Sequence, residues 1–268
     1  MPKPHFIVVH GVQLGSDDDI HSADQIKHLI QNTLDDIPSQ KEFETIGVKY
    51  EDENDESQQP YQWLLKALTL KNPLLSNVIN KITDIVGDVV TASAGSALAT
   101  KIREKIKNQI IESHNNGHPV YLVAHSLGSI YCLDAVRELM EDEQYFKGDN
   151  VTTWPVRGYV TLGSPLGLTN IFKYRPLPTV QGAEYKKFTW HNFHHPFDPV
   201  VSGNVFGAPV SGESAQGPVE YVYQDLAAPA HWNLQGHLSV DNKQWLFAHI
   251  SYWNEPVVGN TLFDMAWR

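Results

Sequence analysis

The chain has 268 residues, 41% of them apolar, enough for a large α/β domain with a core of its own, which excludes a disordered chain or a fold that needs staples. Its net charge of −11 disfavours nucleic acid or an anionic membrane as a partner, and no window of 18 uncharged apolar residues offers an integral membrane segment. Cys132 is the single cysteine, so no intrachain disulfide can form; with an N-terminus that enters a strand pattern at once and carries no secretory signal, a cytoplasmic protein is expected.

Residues 5–10, HFIVVH, form a short apolar run that stops at Gly11, as a buried parallel strand does. Residues 22–34 put Ile26, Leu29, Ile30 and Leu34 on one helical face, with Ser22 as the expected N-cap. A second strand is expected over 44–50, and the acidic stretch YEDENDE at 50–56 reads as a solvated loop. Residues 61–115 are mostly helical in pattern, broken near Pro73 and around 92–97; the part within 61–100 reads as a helical hairpin against the sheet or as a lid. Further strands are expected over 119–125, 156–163, 186–194 and 219–224, and amphipathic helices over 127–141 and 241–253. Such alternation, in a single domain spanning 1–268, predicts an α/β fold: a three-layer α/β/α sandwich with a mostly parallel central sheet.

The stretch VYLVAHSLGSIYC, residues 120–132, breaks an apolar run with a histidine, a serine and a glycine. A serine hydroxyl is a weak nucleophile that needs an adjacent base and must stand clear of the backbone. A sharp turn from strand to helix achieves this when the residues two before and two after the serine are small. Ala124 and Gly128 flank Ser126 at those distances. The following helix N-terminus also favours negative charge near Ser126. His125 is fixed one position away and is expected to pack and hydrogen-bond, not to act as the base.

AHSLG, residues 124–128, resembles the nucleophile elbow of the α/β-hydrolase family, with Ala124 in place of the usual first glycine. The resemblance runs from about His5 to Trp253 and implies the α/β-hydrolase fold with a catalytic triad in the order serine, acid, histidine. IVVHGV, residues 7–12, matches the strand whose following loop supplies one oxyanion donor, so the Val12 and Leu127 amides are the expected oxyanion hole. Asp198, followed by Pro199 after the fifth expected strand, matches the acid; Asp225 and Asp134 are rivals. The base is expected in PAHWNLQGHLSV, residues 229–240: His237 is preferred because it leads directly into the expected last helix, and His231 is the alternative.

The expected function is that of a serine hydrolase, esterase- or lipase-like, cleaving small-molecule or lipid carboxylic esters through an acyl-enzyme on Ser126, with no cofactor. The same apparatus serves thioesterases, amidases and acyltransferases. A non-catalytic binding protein that kept the fold is the alternative from another class. The histidines of HNFHHPFD suggest a metal site at first sight. On a strand, however, His191 and His195 share one face while His194 points away, so no tetrahedral set is expected and metal is excluded from the reading.

Overall fold

The computed structural model describes residues 2–11, 18–35, 41–48, 97–142, 144–145, 154–167, 188–195, 198, 204–205, 208–209, 232–239 and 248–268. Six strands form one parallel sheet: β1 (His5–Val9), β2 (Glu44–Gly47), β3 (Val120–His125), β4 (Val156–Leu162), β5 (Phe188–His194) and β8 (Trp232–Ser239). Their order across the sheet is β2-β1-β3-β4-β5-β8. A two-residue antiparallel pair, β6 (Asn204–Val205) and β7 (Ala208–Pro209), stands apart from it. The helices are α1 (Asp18–Asp35), α2 (Ala97–Asn115), α3 (Gly128–Glu141), α4 (Ala248–Ser251) and α5 (Pro256–Trp267), with 3-10 turns at Pro165–Gly167 and Tyr252–Asn254.

The central strands are apolar without alternation because both faces are covered. Every residue of β1 and β3 is buried. Phe6 and Val8 of β1 and Tyr121 and Val123 of β3 join Ile26 and Ile30 of α1 and Val258 and Leu262 of α5 in one core cluster. The intervening residues Ile7, Val9, Leu122 and Ala124 point to the other face, as the period of two requires. There α2 and α3 pack together, and Glu138 of α3 pairs with Arg103 (2.6 Å) and Lys107 of α2. The expected three layers and parallel sheet are therefore present.

The strand order reverses between β1 and β3. From β1 the chain goes outward to β2, returns to the far side of β1 as β3, and then proceeds outward through β4, β5 and β8. Ligand crevices in open parallel sheets form at such a switch point, outside the carboxyl ends of the strands. Here those ends are His10-Gly11 and His125-Ser126, with Val9 in register with Ala124.

Several sequence expectations need correction. α1 begins at Asp18, so Ser22 lies buried inside the helix and is not its cap. Segment 232–239, expected as a loop, is the strand β8, which ends the sheet among the described residues; the expected strand at 219–224 lies outside them, as does most of 61–100. The last helix does not end at 253. α4 and a 3-10 turn occupy 248–254, and α5 follows, opened by Pro256 in its first turn.

Gly128 sets the distance between α3 and β1. A Cβ there would lie 2.4 Å from the His10 carbonyl oxygen and 2.5 Å from that of Val9, both backbone atoms that cannot swing aside. Gly128→Ala should therefore lower stability by about 1–3 kcal/mol through overpacking, despite alanine's better helix propensity. Urea denaturation checks this, and an unchanged midpoint would contradict the close approach.

Candidate active site

Ser126 stands at the turn between β3 and α3 with φ of 51°, the one non-glycine residue with positive φ among the described residues. A left-handed conformation costs an L-residue about 1–2 kcal/mol. It persists because the turn is held on both sides. The Ser126 amide donates to the Leu162 carbonyl (2.9 Å), and the Ser126 carbonyl accepts from the Ser129 amide (3.0 Å) and the Ser129 hydroxyl (2.6 Å). The Ser129 proton is thereby committed, so in the 2.7 Å contact between the two hydroxyls Ser164 donates to Ser129. The phenol of Tyr159 donates to the Ser129 carbonyl (2.5 Å).

His249 faces Ser126. Its Nε2 lies 2.9 Å from Ser126 Oγ, and its Nδ1 lies 2.9 Å and 3.1 Å from the two carboxylate oxygens of Asp198. Asp198 is fully buried and His249 is 5% exposed, so this pair is shielded from bulk water. An aspartate at Nδ1 fixes that nitrogen as the protonated one and leaves Nε2 free to accept the hydroxyl proton.

The expected base is thus corrected. The imidazole against Ser126 belongs to His249, not His237. His237 lies within β8, its backbone in register with Asn192 of β5, and His231 lies outside the described residues. The physical reason is topological: residues 232–239 are a strand, the last among the described residues, and His249 lies in the connection that follows it. Ser126 and Asp198 both contact His249, on opposite sides of its ring. Asp134 is on α3, where it pairs with Arg137, away from this line.

The fold is that of the α/β-hydrolases. A parallel sheet, a left-handed serine between strand and helix at the switch point, and an acid and a histidine contributed in that order after later strands make up its arrangement. No family model and no curated protein sequence matches the chain. Among solved structures it is similar to TT1662 from Thermus thermophilus, at 12% identity over 99% of this chain and 88% of that one, with a TM-score of 0.46. It is also similar to a dienelactone hydrolase from Anabaena variabilis (12% identity, 98% and 85% covered, TM-score 0.40) and to Est1E from Butyrivibrio proteoclasticus (11% identity, 100% and 90% covered, TM-score 0.36). At scores this low, none of these likenesses bears on what the chain does.

Of the two expected oxyanion donors, Val12 lies outside the described residues. Leu127 caps α3, and its amide is among the first-turn N–H groups that have no intrahelical acceptor. The space beside it exists because residue 11 is glycine: a Cβ there would lie 2.7 Å from Ser126 Cβ, 3.1 Å from Oγ and 3.2 Å from the Leu127 nitrogen.

Two further histidines border the site and are held neutral. Burial lowers His10 to about 4, and its Nδ1–H donates to the Gly11 carbonyl (2.6 Å). Burial lowers His125 to about 3, and the nearby His249 adds to the effect. Its Nε2–H donates to the backbone carbonyl of His249 (2.7 Å), and the two rings lie 4.7 Å apart. As expected, then, His125 is a packing and hydrogen-bonding residue, and its bond fixes the backbone that carries His249. Cys132 is fully buried and its thiol is pushed well up by desolvation, which leaves it inert. Among the described residues no set of three or more metal-binding side chains converges, and no helix is long and apolar enough to cross a membrane.

Proposed function

We propose that the chain is a serine hydrolase of carboxylic esters. The observation that carries this reading is the unbroken line from Asp198 through His249 to Ser126 Oγ, with both contacts to His249 at 2.9 Å. In the proposed reaction the Ser126 oxygen attacks the ester carbonyl while His249 Nε2 takes its proton. The imidazolium so formed is stabilised by the buried Asp198 carboxylate. The Leu127 amide, with the α3 N-terminus behind it, supports the oxyanion, a term worth about 3–4 kcal/mol for one good donor. His249 then returns the proton to the departing alkoxide, leaving an acyl group on Ser126. Water, deprotonated by the same His249, releases the acid and restores the serine.

The test does not need the natural substrate. A fluorophosphonate probe should label the wild-type protein covalently, and Ser126→Ala should abolish the label. Absence of labelling in the folded wild-type protein would favour a binding protein that kept the fold. Labelling that survives in Ser126→Ala would assign the reactivity elsewhere.

A further inference from the structure

Asp198 receives a second donor that serine acylation does not by itself require. The phenol of Tyr252 lies 2.8 Å from Asp198 Oδ2, the same oxygen that His249 Nδ1 approaches at 2.9 Å. Tyr252 is fully buried, and its oxygen also accepts the His195 amide at 2.8 Å. That contact uses a lone pair of the phenol, while the Asp198 carboxylate, which can only accept, takes its single proton. His249 and Tyr252 are three residues apart, a spacing that brings two side chains to one side of a helical turn.

We propose that Tyr252 is a positioning residue of this site, holding Asp198 between two donors from one turn and thereby setting how basic His249 is. The inference rests on the reading of Ser126 as the nucleophile. A carboxylate that accepts two hydrogen bonds has its charge shared between them. Without the phenol proton, the Asp198 carboxylate shares its charge with one donor fewer, holds the imidazolium more tightly and moves the acid limb of the reaction to higher pH. The phenol also ties the strand end at His195 to the 249–252 turn, so its loss lets the acid drift.

Other titratable groups around the pair do not mask this effect. His125, from β3, and His10, after β1, are buried and neutral through the working range. His195 meets Asp198 through its backbone carbonyl, which accepts the Asp198 amide at 2.9 Å. Gly163, from the end of β4, brings no side chain. The phenol of Tyr252 itself is raised well above its ordinary range by burial and by the adjacent carboxylate, so it stays a donor.

The experiment is the rate of fluorophosphonate labelling as a function of pH for wild type and Tyr252→Phe. The reaction needs the base unprotonated, so the labelling rate has an acid limb. Tyr252→Phe is expected to lower the plateau by about tenfold, as misorientation of a catalytic pair does, and to move the acid limb to higher pH. A purely structural role for the phenol would lower thermal stability and leave the limb where it was, and that result would overturn the inference. Should Tyr252→Phe not fold, 3-fluorotyrosine introduced at position 252 keeps the shape and makes a stronger donor. The limb must then move to lower pH, and an unmoved limb overturns the proposal. A folded wild type that never labels removes the serine reading and this inference together; a labelled wild type with an unshifted variant removes the inference alone.

Discussion

Replacing His249 by alanine should lower the rate of Ser126 acylation by about 10⁴- to 10⁶-fold, the range found when the base of such a triad is lost. The fold should survive, because a smaller apolar side chain at this position leaves the sheet and its covering helices intact. His237→Ala should label at close to the wild-type rate. The two histidines are 12 positions apart in the sequence, so the pair of variants separates two chemical assignments within one short segment. The Nε2 contact to Ser126 and the bidentate approach of Nδ1 to Asp198 are made by His249. Loss of activity in His237→Ala with retention in His249→Ala would refute the assignment. Asp198→Asn adds a graded check: it keeps the shape but offers Nδ1 an amide in place of a carboxylate, and a loss of about 10⁴-fold is expected where the wrong tautomer results.

Why Ser126 was legible in the sequence and His249 was not follows from how far each constraint reaches. The elbow is a local device. Its geometry needs a small residue on either side within five positions, and Gly128 in the structure has the backbone of His10 and Val9 where a Cβ would go. Asp198 was legible almost as locally, as an aspartate following a strand and preceding a proline. The base depends on a non-local fact, which strand is the last. WNLQGHLS alternates apolar and polar positions through Trp232, Leu234 and Leu238, the signature of an edge strand, but Gly236 interrupts it and invites a loop reading. Once 232–239 is a strand, the next histidine in the chain is His249. The pairing of Tyr252 with the acid had a sequence signal too, the three-residue spacing from His249, but its meaning required knowing that Asp198 lies opposite that turn. The fold itself was read well at its centre, where buried strands are continuous apolar runs. It was read poorly at the C-terminal end, where α4, a 3-10 turn and α5 replace one expected helix.

The same geometry predicts a large effect at a residue with no chemistry of its own. Gly163 follows β4 with φ of 55°, and its amide donates to the Phe193 carbonyl at 3.0 Å, so it bridges the carboxyl ends of β4 and β5 beside the site. A Cβ there would lie 2.7 Å from Tyr252 Cε2, 2.9 Å from Asp198 Oδ2 and 3.1 Å from His249 Nδ1. Those atoms belong to the groups proposed to form and orient the base. Gly163→Ala should cost about 1–2 kcal/mol from the left-handed backbone alone, measurable as a lower urea midpoint. Its effect on acylation should be disproportionate, about 10²-fold, because displacing a catalytic group by an ångström costs that much. Stability and rate therefore come apart in a defined way: in buffer, where the variant remains mostly folded, labelling of Ser126 is slow while circular dichroism is near normal. Gly128→Ala supplies the comparison, since the nearest atoms to its Cβ are backbone atoms of Val9 and His10. If Gly163→Ala lost stability and nevertheless labelled at the wild-type rate, the contact between Gly163 and the Asp198–His249 pair would have no functional consequence, and the tight enclosure of that pair could not be what orients the base.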